Sequence, residues 1–320
     1  MIGSLGECLI DFTPIVEGGR TTGFRLHPGG SPYNVAIAIA RLGHPSAFAG
    51  RVSVDVFGSL LAEHLRANGV DTGLLLVGPE PTTLAFVALE RGEPAFSFRA
   101  EGTADTLIRP TDLRPADFAD LEALHVGSIS LLYDATGASI VELLRALHGR
   151  LPLSFDPNVR PSLLRDADEY RARVRELAGL VDLVKLSERD RQALGDALDP
   201  VRLTAGAVTD GPVAVIVTRG ALGSRLHRRG STLTCPAAPS RVVDTVGAGD
   251  AFTAAVLVGL AERGALARRA MVELADDEWL AVLRFASTTA ALACERAGAD
   301  PPRREAVQER LGAAHASTRR

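Results

Sequence analysis

The sequence predicts an α/β protein built on a mostly parallel sheet, with helices on both faces and a small β-sheet beside it. Short apolar segments alternate with helical patterns along most of the 320 residues, the signature of strands joined by crossover helices. A glycine loop at 247–249 opens directly onto a long apolar helix, and one stretch, Thr82–Arg99, interrupts the alternation with the pattern of a β-hairpin.

Taken in order, Ile2–Phe12 reads as a buried strand, and Thr13–Leu26 as a further strand pair. Asn34–Leu42 reads as a helix whose apolar positions Val35, Ile37, Ala38, Ile39 and Leu42 cover most of its surface, so it is expected to be buried on several sides. In Thr82–Arg99, Leu84–Leu89 and Ala95–Arg99 flank a turn at Arg91-Gly92-Glu93, with Phe96 and Phe98 on one face and Ser97 and Arg99 on the other. Two strands alone are marginal in water, so this hairpin must pack on something. It either forms part of a small sheet over a cleft or adds to the edge of the main sheet. Ala123–Val126, Leu153–Asp156, Leu183–Leu186 and Val213–Thr218 are short apolar strands separated by helical patterns such as Tyr170–Leu180. The last long helices start at Gly247–Asp250, ending near Gly264, and cover Phe285–Cys294. Residues 1–312 read as one domain, with lid segments at about 13–26 and 82–100, and 313–320 as a frayed tail.

Composition narrows the function classes. A net charge of −4 with both signs interspersed offers no field for nucleic acid or an anionic membrane. The longest nearly apolar run, Ala251–Ala261, is far short of a membrane span, and Glu7 and Asp11 interrupt the apolar N-terminus where a signal core would lie. A cytoplasmic protein is expected. Cys8, Cys235 and Cys294 are too scattered for a disulfide framework or a zinc spacing, and no histidine pair has helical metal-ligand spacing.

The chemistry concentrates at Asp244–Gly259. The first turn of a helix leaves backbone N–H groups without intrahelical acceptors, and the macrodipole adds positive charge there, so an anion is stabilised. Gly247 and Gly249 let that backbone approach a ligand, and Asp250 at the same mouth is placed to accept a proton from a hydroxyl while the amides hold charge on a transferred phosphoryl group. Taken alone, Asp250 fits a helix cap equally well. In parallel sheets ligands bind beyond the carboxyl ends of the strands, where this chain carries Asp156-Pro157-Asn158, Lys185 to Glu188 and Thr218 to Gly220. These point to one cleft.

The motifs together resemble the ribokinase and phosphofructokinase-B family of sugar kinases, and within it the fructokinases. Gly29-Gly30-Ser31-Pro32-Tyr33-Asn34-Val35-Ala36 followed by Ala40-Arg41-Leu42-Gly43 is similar to the N-terminal signature, and Asp244–Asp250 to the C-terminal one. Gly6–Phe12, Gly127–Ser130, Phe155–Arg160, Lys185–Glu188 and Thr218–Gly223 match in order, so the resemblance runs from about residue 2 to 300. It implies a ribokinase-like three-layer sandwich with a β-sheet lid, ATP and Mg2+ as cofactors with K+ as a further candidate, and a small sugar as substrate; the hairpin's need for a packing partner makes a homodimer through the lid the natural expectation.

The resemblance also implies roles. Asp250 is the base, with Gly247, Ala248 and Gly249 as the anion hole. Asp11, Gly30, Asn34, Phe98, Arg99 and Arg160 bind the sugar. Lys185, Glu188, Thr218, Gly220, Gly223 and Ser287 bind the nucleotide, Glu188 holding Mg2+ through water and Asp244 standing beside a monovalent cation site. Tyr33 is bulkier than the residue usual in Gly-Gly-x-x-x-Asn, which bears on the size of the sugar pocket, while Pro32 favours a ketohexose over ribose. The reading is therefore an ATP-dependent kinase of a primary hydroxyl, foremost that of D-fructose. 2-Keto-3-deoxygluconate, served by Arg99 and Arg160, stands second, and ribose or a nucleoside third. A non-catalytic sensor of the same fold is the alternative outside enzymes. A dinucleotide oxidoreductase is disfavoured because neither Gly-x-Gly-x-x-Gly nor a P-loop is present.

Overall fold

A computed structural model describes residues 1–90, 93–205 and 211–318, with the backbone alone for 87–90, 93–96 and 314–318. Its strands are Ile2–Leu5 (β1), Leu9–Glu17 (β2), Arg20–Gly29 (β3), Ser46–Ser53 (β4), Leu75–Gly78 (β5), Thr83–Glu90 (β6), Glu93–Arg99 (β7), Ala123–Gly127 (β8), Leu153–Asp156 (β9), Leu183–Ser187 (β10), Ala214–Thr218 (β11), Ser224–Arg228 (β12) and Ser231–Cys235 (β13). The helices are Ser31–Arg41 (α1), Val56–Ala67 (α2), Asp134–Leu147 (α3), Ala167–Leu180 (α4), Glu188–Leu194 (α5), Pro200–Ala205 (α6), Ala248–Ala261 (α7), Arg268–Glu273 (α8), Asp276–Cys294 (α9) and Arg304–Thr318 (α10).

Among the described residues the large sheet runs β13-β12-β11-β10-β9-β8-β1-β4-β5, parallel from β11 to β5, with β12 and β13 antiparallel at one edge. Alternate residues of each central strand face opposite ways, as the pleat requires. Ala214 and Ile216 meet Val35, Val258 and Trp279 of α1, α7 and α9, while Val215 and Val217 belong with Leu144, Val174 and Leu177 of α3 and α4. This is the expected three-layer sandwich. The anticipated burial of α1 on several sides holds, since Val35, Ala38 and Ile39 face the α7 layer and Tyr33, Ala36 and Ile37 face α2.

The hairpin belongs to a second sheet, ordered β3-β2-β6-β7, which stands apart from the main one. The edge-strand alternative is thereby set aside. The turn at 91–92 lies outside the described residues, as does the Phe96 side chain.

One strand is corrected. Ile2–Phe12 is two strands in two different sheets, broken at Gly6–Cys8. At Gly6 a Cβ would lie 2.5 Å from Ser130 Oγ and 2.6 Å from Pro32 Cγ, so the chain turns where two other loops crowd in. The local residue pattern cannot register crowding by segments distant in sequence. At the far end, α10 continues to Thr318, into the segment expected to fray, and 319–320 lie outside the described residues.

Candidate active site

Strand order reverses at β1 and β8: the chain goes from β1 outward to β4 and β5, then returns to add β8 to β11 on the other side. The loops leaving two such neighbours diverge and open a crevice. Glu7 and Ser128–Ser130 lie at this divergence, with the segments after β9, β10 and β11 alongside.

Asp250 sits in the first turn of α7 with 7 % of its surface exposed. Its Oδ1 accepts from Ser31 Oγ at 2.6 Å and its Oδ2 from Asn34 Nδ2 at 2.9 Å, so the first turn of α1 grips both oxygens. Burial pushes this carboxyl above its ordinary value, while the Ser31 and Asn34 bonds and the cations of Lys185 and Arg160 pull it back. Gly247 caps the helix at φ 74°, a left-handed conformation in which a Cβ would lie 2.8 Å from Ala299 Cβ. Ala248 N–H turns back to Thr245 O at 3.3 Å, and the first-turn amides of Gly249 and Asp250 precede any intrahelical acceptor.

Beneath this loop stands Lys185, the only lysine among 35 basic residues. It points to the α7 side of β10, and a Cβ on Gly249 would be 3.0 Å from its Nζ. Nζ donates to Asp156 Oδ2 at 2.7 Å, both groups being buried. Burial opposes charge on Lys185, but Asp156, Asp190 and Asp250 outweigh it and hold the ammonium above its ordinary value. Asp156, the last residue of β9, is pushed by burial to about 6 against the pull of Lys185.

Asp11 enters from the small sheet rather than from the end of β1. In register it pairs with His27 and Ala85, and Ala85 pairs with Phe98, so Asp11 and Phe98 share the face that meets Ile129 and Tyr133. Burial raises the Asp11 carboxyl to about 6; Arg160 opposes this and Asp250 adds to it. Arg160 Nη1 donates to Asn158 Oδ1 at 2.6 Å and Asn158 O at 3.0 Å, and Asn158 holds a φ of 38°. Gly30, at φ 114°, lets the start of α1 pass the Glu7 carbonyl, which would be 2.5 Å from a Cβ.

Arg99 is not brought into this group. Its register partner is Leu84, one position out of phase with Ala85, so it lies on the opposite face of the small sheet, exposed and donating to Ser97 Oγ and Phe98 O at 3.3 Å. Tyr33 also points away from the sugar end. It is fully buried against Phe48, with its hydroxyl donating to Leu61 O at 3.0 Å and 2.9 Å from His64 Nδ1. Its bulk fills the space between α1 and α2 and leaves the pocket size untouched.

At the nucleotide end, Glu188 caps the cleft from the start of α5, its Oε1 taken by Arg191 at 2.6 Å. It lines a cavity of about 460 Å³ with Arg219, Arg225 and His227, a cavity that does not reach Asp250. Thr218 ends β11, and Gly220 and Gly223 close the tight loop behind it through Arg219 N–H to Gly223 O at 2.7 Å and Gly223 N–H to Gly220 O at 3.0 Å. Ser287 accepts from Ala238 N–H at 2.8 Å, fixing the 236–238 segment. Asp244 accepts from Val246 N–H at 3.0 Å and Gly298 N–H at 2.8 Å, stitching two loops together. No cluster of three or more metal-ligating side chains occurs among the described residues. A site with one carboxylate and nearby arginines suits an Mg2+ that keeps its waters and rests mainly on nucleotide phosphates.

Two members of this group escaped the sequence reading: Ser31 beside Asp250, and Glu7 behind Ser31. The second left a signal, a lone carboxylate inside an apolar run.

The pattern of the pfkB family of carbohydrate kinases matches residues 1–306. The fructokinase of Rhizobium leguminosarum bv. trifolii is 36 % identical over 318 residues, which span 99 % of this chain and 92 % of that protein. Fructokinase of Xylella fastidiosa with bound ATP superimposes with a TM-score of 0.86 at 30 % identity, covering 98 % of both chains. Fructokinase of Vibrio cholerae O395, solved with fructose, ADP and calcium ion, gives 0.79 at 29 % identity, over 97 % of this chain and 98 % of the other. With a buried carboxylate at a helix mouth and motifs in family order from end to end, the chain belongs to the pfkB family of carbohydrate kinases.

Proposed function

We propose that the protein transfers the γ-phosphoryl group of ATP to a primary hydroxyl of D-fructose. The observation that carries this is the Asp250 carboxylate, fixed by Ser31 and Asn34 at the mouth of α7 with Arg160 and Asp11 facing it. The sugar oxygen attacks the γ-phosphorus as its proton passes to Asp250, the bond to the β-phosphate oxygen breaks, and ADP departs. Amides of Gly247, Ala248 and Gly249, the α7 dipole and the Lys185 ammonium act on the charge of the transferred group. Mg2+, when bound with the nucleotide, neutralises phosphate charge, and Glu188 is the residue to hold it through water. Asp11 accepts from sugar hydroxyls, with Gly30, Asn34, Phe98 and Arg160 completing that end. Thr218, Gly220, Gly223 and Ser287 shape the nucleotide end, and Asp244 serves a K+ site, read out as activation by KCl over NaCl.

The keto-acid reading loses support because Arg99, its second cation, lies on the far face of the small sheet. A sensor has no use for a carboxylate held so closely at a phosphate site. The same proposal takes 1–312 as one kinase domain acting in the cytoplasm; among the described residues no helix is long and apolar enough to cross a membrane. It takes the lid as a dimer face, since Val16 and Phe24 expose 54 % and 47 % of their surface there. Light scattering of Phe24→Asp tests that: an unchanged dimer removes the lid from the interface.

ADP release with Mg-ATP is to be measured against fructose, 2-keto-3-deoxygluconate, ribose, tagatose and adenosine, with Asp250→Ala in parallel. Saturable turnover on fructose, lost in the variant, is expected. Preference for the keto-acid, or turnover surviving in Asp250→Ala, overturns the reading.

A further inference from the structure

Asp250 is held by a chain of contacts that reaches back to the first residues of the sequence. Ser31 Oγ donates to Asp250 Oδ1 at 2.6 Å. Ser31 is itself held, because its N–H donates to Glu7 Oε1 at 3.0 Å. The other Glu7 oxygen accepts from both Ser130 N–H, at 3.1 Å, and Ser130 Oγ, while Glu7 N–H approaches Ser130 Oγ at 2.7 Å. Glu7 is 1 % exposed and has no cation among these partners.

A carboxyl buried among hydroxyls and amides is costly unless each oxygen is satisfied, and here all its bonds go to the two loops that flank the crevice. The α1 helix begins without a side-chain cap from Gly30. Glu7, distant in sequence, takes the orphan N–H of its first residue instead; burial pushes its carboxyl above the ordinary value, and the bonds from Ser130 and Ser31 pull it back. The β1–β2 bend, the start of α1 and the loop after β8 are thereby tied to the reacting carboxylate.

We propose that Ser31 and Glu7 are positioning residues of the phosphoryl transfer: Glu7 fixes Ser31, and Ser31 aims the Asp250 carboxylate and keeps it ionised. This rests on Asp250 being the base. Each Asp250 oxygen retains lone-pair capacity for the incoming hydroxyl after its bond to α1. The charged groups facing Asp250 from other elements are Lys185 on β10, Arg160 and Asp156 from the segments around the end of β9, and Asp11 on β2; all remain in place when Ser31 changes. Removing Ser31 Oγ therefore leaves the local charges intact and deletes one bond to the ionised form.

The test is the pH dependence of kcat/KM for wild type, Ser31→Ala, Ser31→Thr, Glu7→Gln and the Ser31→Ala/Glu7→Gln double variant, on whichever sugar of the panel turns over best. Ser31→Ala is expected to move the acid limb up by about one pH unit, as loss of a hydrogen bond to a charged group dictates, and to lower kcat about tenfold with the ATP KM unchanged. Ser31→Thr, which keeps the hydroxyl, should return the limb toward wild type. If Glu7 acts through Ser31, Glu7→Gln costs kcat in the wild-type background and little more in Ser31→Ala. An acid limb that stays put in Ser31→Ala overturns the role of Ser31, and fully additive losses overturn that of Glu7. Turnover on another sugar but not on fructose defeats the fructose reading alone; a wild-type protein inactive on every sugar removes the base, and this inference with it.

Discussion

Replacing Lys185 with Met separates the charge at the phosphate site from the ion pair that carries it. Lys185 is 4 % exposed and bonded to Asp156 at 2.7 Å, so Lys185→Met strands a buried carboxyl, a change that costs about 3–5 kcal/mol when the survivor stays charged. Asp156 already sits near 6 with its partner present, and without the ammonium it rises further and takes up a proton, so the loss of stability at pH 7 falls toward the low end of that range. Activity is another matter. The ammonium lies against Gly249 in the loop we propose as the anion hole, and deleting one donor of such a hole costs about 10²–10³ in kcat, roughly 2.7–4 kcal/mol. The Lys185→Met/Asp156→Asn pair removes both charges and restores most of the stability, but not the rate. Lys185→Arg is expected to fail as well, because the space beneath Gly249 holds an ammonium and not a planar fork. Thermal unfolding and coupled ADP release on the three variants give both readouts. If the doubly substituted enzyme turns over within about twofold of wild type, Lys185 serves only its partner and the electrostatic account of this loop is wrong.

Arg160 holds down the Asp11 carboxyl, so Arg160→Met should push that group above about 6 and carry the acid limb of sugar kcat/KM to higher pH; a KM increase with no movement of the limb would contradict the coupling. Tyr33→Phe removes two hydroxyl contacts far from the sugar, and is expected to cost about 1 kcal/mol in unfolding while leaving the sugar KM unchanged. A large KM shift there would return Tyr33 to the pocket. Asp105, at the base of the lid, accepts from Thr83 and Thr103 through Oδ1 while Oδ2 is buried without a partner; burial lifts it to about 7. A carboxyl raised on folding contributes stability that is present in acid and lost as pH rises through its folded value. The Tm of wild type should thus fall between about pH 4 and 7 more steeply than that of Asp105→Asn, and equal slopes would exclude Asp105 as the source.

What the sequence disclosed and what it hid divide along a physical line. Leu153–Asp156 and the start of α7 were legible because a strand or helix end is specified by its own residues: apolar spacing, a glycine with φ 74°, a carboxylate in the first turn. β12 and β13 were not, since an edge hairpin such as Ser224–Arg228 and Ser231–Cys235 carries polar residues at seven of its ten strand positions and looks like loop. The break at Gly6 was invisible because its cause, Ser130 and Pro32, comes from elsewhere in the chain. Arg99 shows the same limit from the other side. Its motif context placed it at the cleft, yet a single register, Ala85 with Phe98, decides which face of β7 turns toward Asp11 and Ile129, and a shift of one residue would exchange Phe98 for Arg99. Pairing between β6 and β7 across the turn therefore sets an aromatic ring rather than a guanidinium on the face that carries Asp11. Ser31 follows the same logic: its partner Asp250 is 219 residues away, and only the closure of α1 against α7 brings the serine hydroxyl to that carboxylate.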